Sequence, residues 1–170
     1  MMTALTGTPG TGKSTIASVL RARGIQTLSQ KETMGPYLLE HDAERDTDII
    51  DEDAWVDAFV PVDGIIEGHL THLLPADRVV VLRCRPDILA ARLRERGYHD
   101  EKVQENAEAE ALDAILIEAL EVHPETHIMV IDTTEQNPED TADEIEAFIR
   151  SDAPHTLTVP DWSEFLGRHV

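Results

Sequence analysis

The sequence predicts an α/β fold, a parallel sheet covered by helices on both faces in three layers. Three observations carry that prediction. Short apolar runs alternate with longer helix-patterned segments along the chain, the order of units that builds a parallel sheet. The runs Val79-Val80-Val81-Leu82 and Ile128-Met129-Val130-Ile131 are apolar throughout rather than alternating, as strands buried on both faces require. A glycine-rich stretch, Gly7 to Ser14, falls between the first apolar run and the first helical pattern.

Taken in order, strands are expected at Thr3–Thr6, weakly at Gln26–Leu28, then at Gly64–Glu67, Val79–Arg83 and Ile128–Asp132. Helices fill the intervals. Ser14–Arg23 follows the glycines, Asp53–Val60 follows an acidic stretch, and Pro86–Arg96 opens on a proline, which a first helical turn tolerates. The longest helix is expected from about 101 to 121, where Leu112, Ile115, Leu116, Ala119 and Leu120 keep the spacing of one buried stripe, opposite a glutamate-rich solvated face. A last helix spans about 138–151. The tail from Asp152 to Val170 carries Trp162 and Phe165, two aromatics expected to dock it on the body.

The chain has 170 residues, and no repeat, low-complexity tract or linker divides it, so a single domain over 1–170 is expected. With 41% apolar and 28% charged residues it is globular in composition. No apolar run approaches the roughly 18 residues that cross a bilayer. The start, MMTALTGTPG, has neither a basic leader nor a small-residue cleavage site, and a cytoplasmic protein is expected. Cys84 is the lone cysteine, which rules out an internal disulfide or a thiolate metal site.

Acidic residues number 34 against 14 basic ones, a formal net charge of −20, which makes free nucleic acid a poor partner. Lysine is confined to Lys13, Lys31 and Lys102. Two readings fit. One is a halophile's surface, where molar salt shortens the screening length to about 3 Å; the other is an acidic docking face for a basic partner. The acids are spread along the chain rather than gathered in a tail, which favours the first.

Gly7-Thr8-Pro9-Gly10-Thr11-Gly12-Lys13-Ser14 fits G-x-x-x-x-G-K-[ST] in the strand–loop–helix context that this motif needs. Its backbone N–H groups and the following helix N-terminus can cradle a polyphosphate, where a bare glycine turn would only cap the helix. Lys13 offers a compact cation to the β- and γ-phosphates of ATP, and Ser14 a hydroxyl to Mg²⁺. A second acidic contact to the metal is needed. Glu67, ending its strand, is the candidate, with a reach that favours a water-bridged role. Two residues on, His69 can orient an attacking water or contact phosphate, or can simply be a hydrogen-bonded loop imidazole. A His69–His72 metal pair lacks a third ligand, and Pro124 separates His123 from His127.

Phosphoryl transfer also needs cations that meet developing negative charge. Arg92 and Arg96 lie four apart on one helix and project from the same face. The helix then breaks at Gly97, so the following segment reads as a mobile lid or as an ordinary helix–helix turn; closure that excludes water favours the lid. Arg83 and Arg85 are further candidates, or else partners of surface acids.

The stretches GTPGTGKST, DIIDEDAWVD, IIEGHLTH and VVVLRCRPDILAARLRERGYHDEKVQENAEAEAL, followed by the C-terminal helix, resemble in this order the adenylate-kinase-like nucleotide kinases of archaea and eukaryotic nuclei. The similarity extends through about Arg150. It implies a three-layer P-loop NTPase fold with a five-stranded parallel sheet, a monophosphate-binding segment at about 29–50 and a short lid at about 95–105. Together with the charge, it implies a haloarchaeal member. It also implies ATP and Mg²⁺ as cofactors, transfer of phosphate from ATP to AMP or related monophosphates, ATP hydrolysis, and a role in late maturation of the small (30S) ribosomal subunit through one of its platform proteins. By position, Gly10, Thr11, Gly12, Lys13, Ser14 and Thr15 would hold ATP phosphates and Arg96 would be the lid arginine. Two departures stand out. Glu67-Gly68-His69 replaces the D-x-H of eukaryotic members, and the monophosphate segment lacks their early arginine, leaving Lys31 and Arg45 as phosphate contacts. An ATPase assembly factor with little kinase activity is the alternative function. A small-metabolite kinase of the shikimate or gluconate type ranks last, because no paired aspartate and arginine follow the second strand to hold a polyhydroxy acid.

Overall fold

A computed structural model describes residues 1–43, 47–151 and 153–170. Its elements in chain order are β1 (Met2–Gly7), α1 (Lys13–Ala22), β2 (Thr27–Ser29), α2 (Lys31–Met34), β3 (Leu38–Asp42), β4 (Thr47–Ile50), α3 (Glu52–Ala58), β5 (Gly64–Glu67), β6 (Arg78–Arg83), α4 (Pro86–Glu95), α5 (Asp100–Ala111), α6 (Ala114–Val122), β7 (Ile128–Asp132) and α7 (Pro138–Arg150). Five strands form one parallel sheet in the order β2-β5-β1-β6-β7. All six residues of the central β1 are buried.

Alternation of side chains across the sheet explains why the strands read as unbroken apolar runs. Leu5, Val80, Leu82 and Ile131 face Ile16 and Leu20 of α1 and Ile145 and Phe148 of α7. Ala4, Val79, Val81 and Ile128 face Leu116 and Ala119 of α6. Each large aliphatic side chain so buried contributes about 1.5–3 kcal/mol relative to exposure. Helices on both faces leave the carboxyl ends of the strands as the open rim, where ligands of such sheets bind.

The long helix expected over 101–121 is two helices. Asp113 takes the left-handed conformation, φ 57°, and ends the first at Ala111. A short polar side chain tolerates this better than most, and the Asp113 carboxylate is held there by Arg83. The two halves bury different surfaces, Val103 of α5 against Leu89, Ala90 and Leu93 of α4 and Leu116 and Ala119 of α6 against the sheet. Leu112 and Leu120, expected in a common buried stripe, are therefore exposed.

The antiparallel pair β3–β4 was not expected either. Leu38 and Leu39 are both exposed, so no buried face imposes a readable alternation on that segment. In the tail, Trp162 is buried with the Arg83 guanidinium 4.8 Å above its ring, whereas Phe165 is only half-buried. Among the described residues, no helix is long and apolar enough to cross a membrane.

Candidate active site

The turn after β1 is forced by its neighbours. A Cβ on Gly7, at φ 146°, would lie 2.5 Å from the Leu82 carbonyl oxygen of β6. Gly12, at φ 102°, occupies the N-cap of α1, and no side chain caps that helix. Its first-turn N–H groups are therefore open to an anion. Inside the turn, the Lys13 ammonium donates to the carbonyl oxygens of Gly7 at 2.6 Å and Thr8 at 3.0 Å. Desolvation, with repulsion from Arg96, lowers the lysine to about 8 against the opposing charges of Glu67 and Glu110.

Register brings the end of β5 to this loop, because β1 pairs with β5 and Leu5 stands opposite Glu67. The Ser14 hydroxyl donates to Glu67 Oε2 at 3.4 Å, and both residues reach solvent. A hydroxyl and a carboxylate are hard oxygen donors of the kind Mg²⁺ takes alongside water and phosphate, so these residues fit that ion. No cluster of three or more His, Cys, Asp or Glu side chains able to hold a metal occurs among the described residues.

His69 lies just beyond Glu67, its Nδ1 facing the Gln30 amide nitrogen at 3.3 Å. His69 reaches solvent, and partial desolvation at the rim with repulsion from Lys13 lowers its imidazole from the usual range. His72 belongs to a separate, buried arrangement between Thr6 and Glu118, and His123 is held by the His72 carbonyl.

The arginines divide by partner. Arg92 donates to the carbonyls of Thr133 at 2.9 Å and Thr134 at 3.1 Å, with Gly10 at 3.5 Å, joining the glycine turn to the segment after β7. Arg96 is exposed at the end of α4, close enough to Lys13 to repel it. Arg83 pairs through Nε and Nη2 with Glu110 and Asp113, its buried Nη1 finding no hydrogen-bond partner, and Arg85 pairs with Asp87. Lys31 opens α2 on the surface and adds to the positive potential at His69. Arg45 lies outside the described residues.

The AAA domain family matches residues 4–113. A Pyrococcus abyssi protein named "Putative adenylate kinase" is 42% identical, covering 96% of this chain and 92% of that protein. Proteins of the same name from Archaeoglobus fulgidus and Natronomonas pharaonis are 45% and 43% identical, covering 89% and 98% of this chain and 84% and 100% of theirs.

The chain belongs to this adenylate-kinase-like family of P-loop kinases. Solved structures agree on the fold. A sugar kinase from Janibacter sp. HTCC2649 superposes with a TM-score of 0.55 at 19% identity, covering 91% of this chain and 98% of that one. A gluconokinase from Sinorhizobium meliloti 1021 gives 0.51 at 18%, covering 87% and 90%.

One residue of this P-loop kinase escapes sequence reasoning. Glu110 of α5 is buried against the phosphate loop, its Oε2 accepting from the Thr8 hydroxyl at 2.5 Å. The solvated glutamate face expected for this helix hides it. Its signal is positional: Glu110 shares a buried face with Val103, Ala107 and Ala111, at spacings where an apolar residue is the norm.

Proposed function

We propose that this protein is a soluble, cytoplasmic nucleoside monophosphate kinase that transfers the terminal phosphate of ATP to AMP or a related monophosphate and also hydrolyses ATP. The approach of Ser14 to Glu67 beside the Lys13 loop carries the reading, because it gathers a metal-binding pair and a phosphate-binding cation at one rim. Ser14 and Glu67 would hold Mg²⁺, which when bound neutralises phosphate charge. The amides from Gly10 to Thr15 bind the phosphate chain. Lys13 exchanges the carbonyls of Gly7 and Thr8 for phosphate oxygens, and Arg92 and Arg96 meet the charge that develops during transfer.

Neutral His69 orients the nucleophile by hydrogen bonding. Lys31 and Arg45 receive the acceptor phosphate within the 29–50 segment, and the 95–105 segment closes over the site to exclude water. The chain works as a single domain over 1–170. The test is a coupled assay of purified protein with Mg-ATP, with and without AMP: rapid ADP formation that requires AMP supports the kinase, and its absence removes it.

The net charge of −20 is compatible with one second reading, an ATPase that assists late maturation of the small ribosomal subunit by engaging a basic platform protein. AMP-independent turnover raised by such a protein would support it. The same acid excess fits a haloarchaeal source, whose surface works in molar salt.

A further inference from the structure

Glu110 is only 2% exposed and Thr8 only 3%, and their polar side chains are hydrogen-bonded to each other and to neighbours. The Thr8 hydroxyl has one hydrogen and gives it to Glu110 Oε2 at 2.5 Å. The other carboxylate oxygen accepts from Arg83 Nε at 2.7 Å and from the Cys84 amide at 2.9 Å. The Thr8 carbonyl accepts from the Thr11 hydroxyl at 2.9 Å, the Thr11 amide at 3.2 Å and the Lys13 ammonium at 3.0 Å. One carboxylate thus clamps, by its side chain, the residue whose backbone holds the lysine.

We propose that Glu110 is a positioning residue of the phosphate loop, acting through the Thr8 hydroxyl to set the backbone from which Lys13 reaches its phosphate. The proposal deepens the kinase reading and rests on it. A charge-assisted bond in a buried site is both short and directional, which suits it to hold a loop that must stay in place while Lys13 changes partners. Glu110 also sits near the end of α5, whose first residues, from Asp100, belong to the 95–105 segment, so the same contact ties the far end of that helix to the loop.

The rival is a carboxylate that only neutralises Arg83. The two roles separate in a double-mutant cycle of Thr8→Val and Glu110→Gln, with Thr8→Ser as the variant that keeps the hydroxyl. Steady-state kcat and KM for ATP and the Mg-ATP dissociation constant from calorimetry are read on all the proteins. Thr8→Val is expected to lower kcat/KM about tenfold, Thr8→Ser to stay within about twofold of wild type, and Thr8→Val to cost several-fold less once Glu110 is glutamine, whose neutral amide oxygen accepts the hydroxyl without the charge. A silent Thr8→Val, or an undiminished effect in the Glu110→Gln background, overturns the proposal. Should Glu110→Gln fail to fold, the contrast between Thr8→Val and Thr8→Ser decides, equal activity overturning it. Wild type that binds Mg-ATP without phosphorylating any monophosphate removes the kinase reading alone, and the coupling is then read in the dissociation constants. Wild type without affinity for Mg-ATP overturns both.

Discussion

Ser14 and Glu67, 53 residues apart, meet at 3.4 Å because parallel pairing of β1 with β5 delivers the end of one strand to the loop that leaves the other. The Gly68 amide donates to the Leu5 carbonyl at 3.0 Å and continues the ladder past Glu67. If the pair holds Mg²⁺, Glu67→Gln weakens metal use while sparing the fold. The Mg²⁺ concentration giving half-maximal activity should rise about 10–100-fold. A titration of Mg²⁺ at fixed ATP checks this, and an unchanged midpoint would remove Glu67 from the metal site.

Lys13→Ala should lower phosphoryl transfer by about 10²–10³ or more, as expected for loss of a charge stabiliser at the reacting centre. The melting temperature should change little, because the partly buried ammonium bonds only two loop carbonyls and joins no apolar core cluster. Near-normal turnover in this variant would contradict the assignment of the site.

The same lysine predicts a pH dependence. Desolvation brings its ammonium down from 10.5 to about 8 in the nucleotide-free protein, and only the protonated form attracts phosphate. Affinity for Mg-ATP should therefore be full below about 8 and fall as pH rises through that value, with proton uptake on binding in the same range. Calorimetry in buffers of different ionisation enthalpy measures both quantities; a flat affinity from pH 7 to about 9.5, far enough above the shifted value to titrate the group, would show that the lysine stays charged.

Arg92 and Arg96 should respond differently to truncation. Arg96 is exposed, so Arg96→Ala should reduce kcat by about 10²-fold and leave the melting temperature unchanged. Arg92 ties carbonyls of Gly10, Thr133 and Thr134 together, so Arg92→Ala should reduce both kcat and stability, the latter by about 1–3 kcal/mol. Equal behaviour of the two variants would contradict this division of roles.

The acid excess predicts a salt requirement. With a net charge of −20, self-repulsion weakens as the screening length falls from about 10 Å at 0.1 M salt to about 3 Å at 1 M. The melting temperature should climb steadily with KCl over this range. Full stability in dilute buffer would dispose of the halophile reading.

Several candidate site residues are legible because local rules place them. The stretch Gly7 to Ser14 declares its turn through glycines with positive φ, and Glu67 declares itself as the last residue of an apolar run. Arg83 is the opposite case. It stands at a strand end like Glu67, yet its guanidinium is spent on Glu110, Asp113 and the Trp162 ring. Nothing adjacent to Arg83 in the chain announces partners roughly 30 or 80 residues away, and an α/β fold offers many residues that could have been brought there. The split at Asp113 escaped for a related reason, since helical periodicity runs through it unbroken.

By itself the sequence determined which segments become buried strands, where the first loop must turn and which cation that loop carries, because side-chain period and glycine conformation act over a few residues. Only the tertiary structure decided that Glu110 clamps Thr8, that Arg83 serves packing rather than phosphate, and that one long helical pattern bends into two. Those outcomes depend on which distant polar groups share a desolvated space, where each buried donor must find an acceptor and the pairing is settled by packing rather than by spacing.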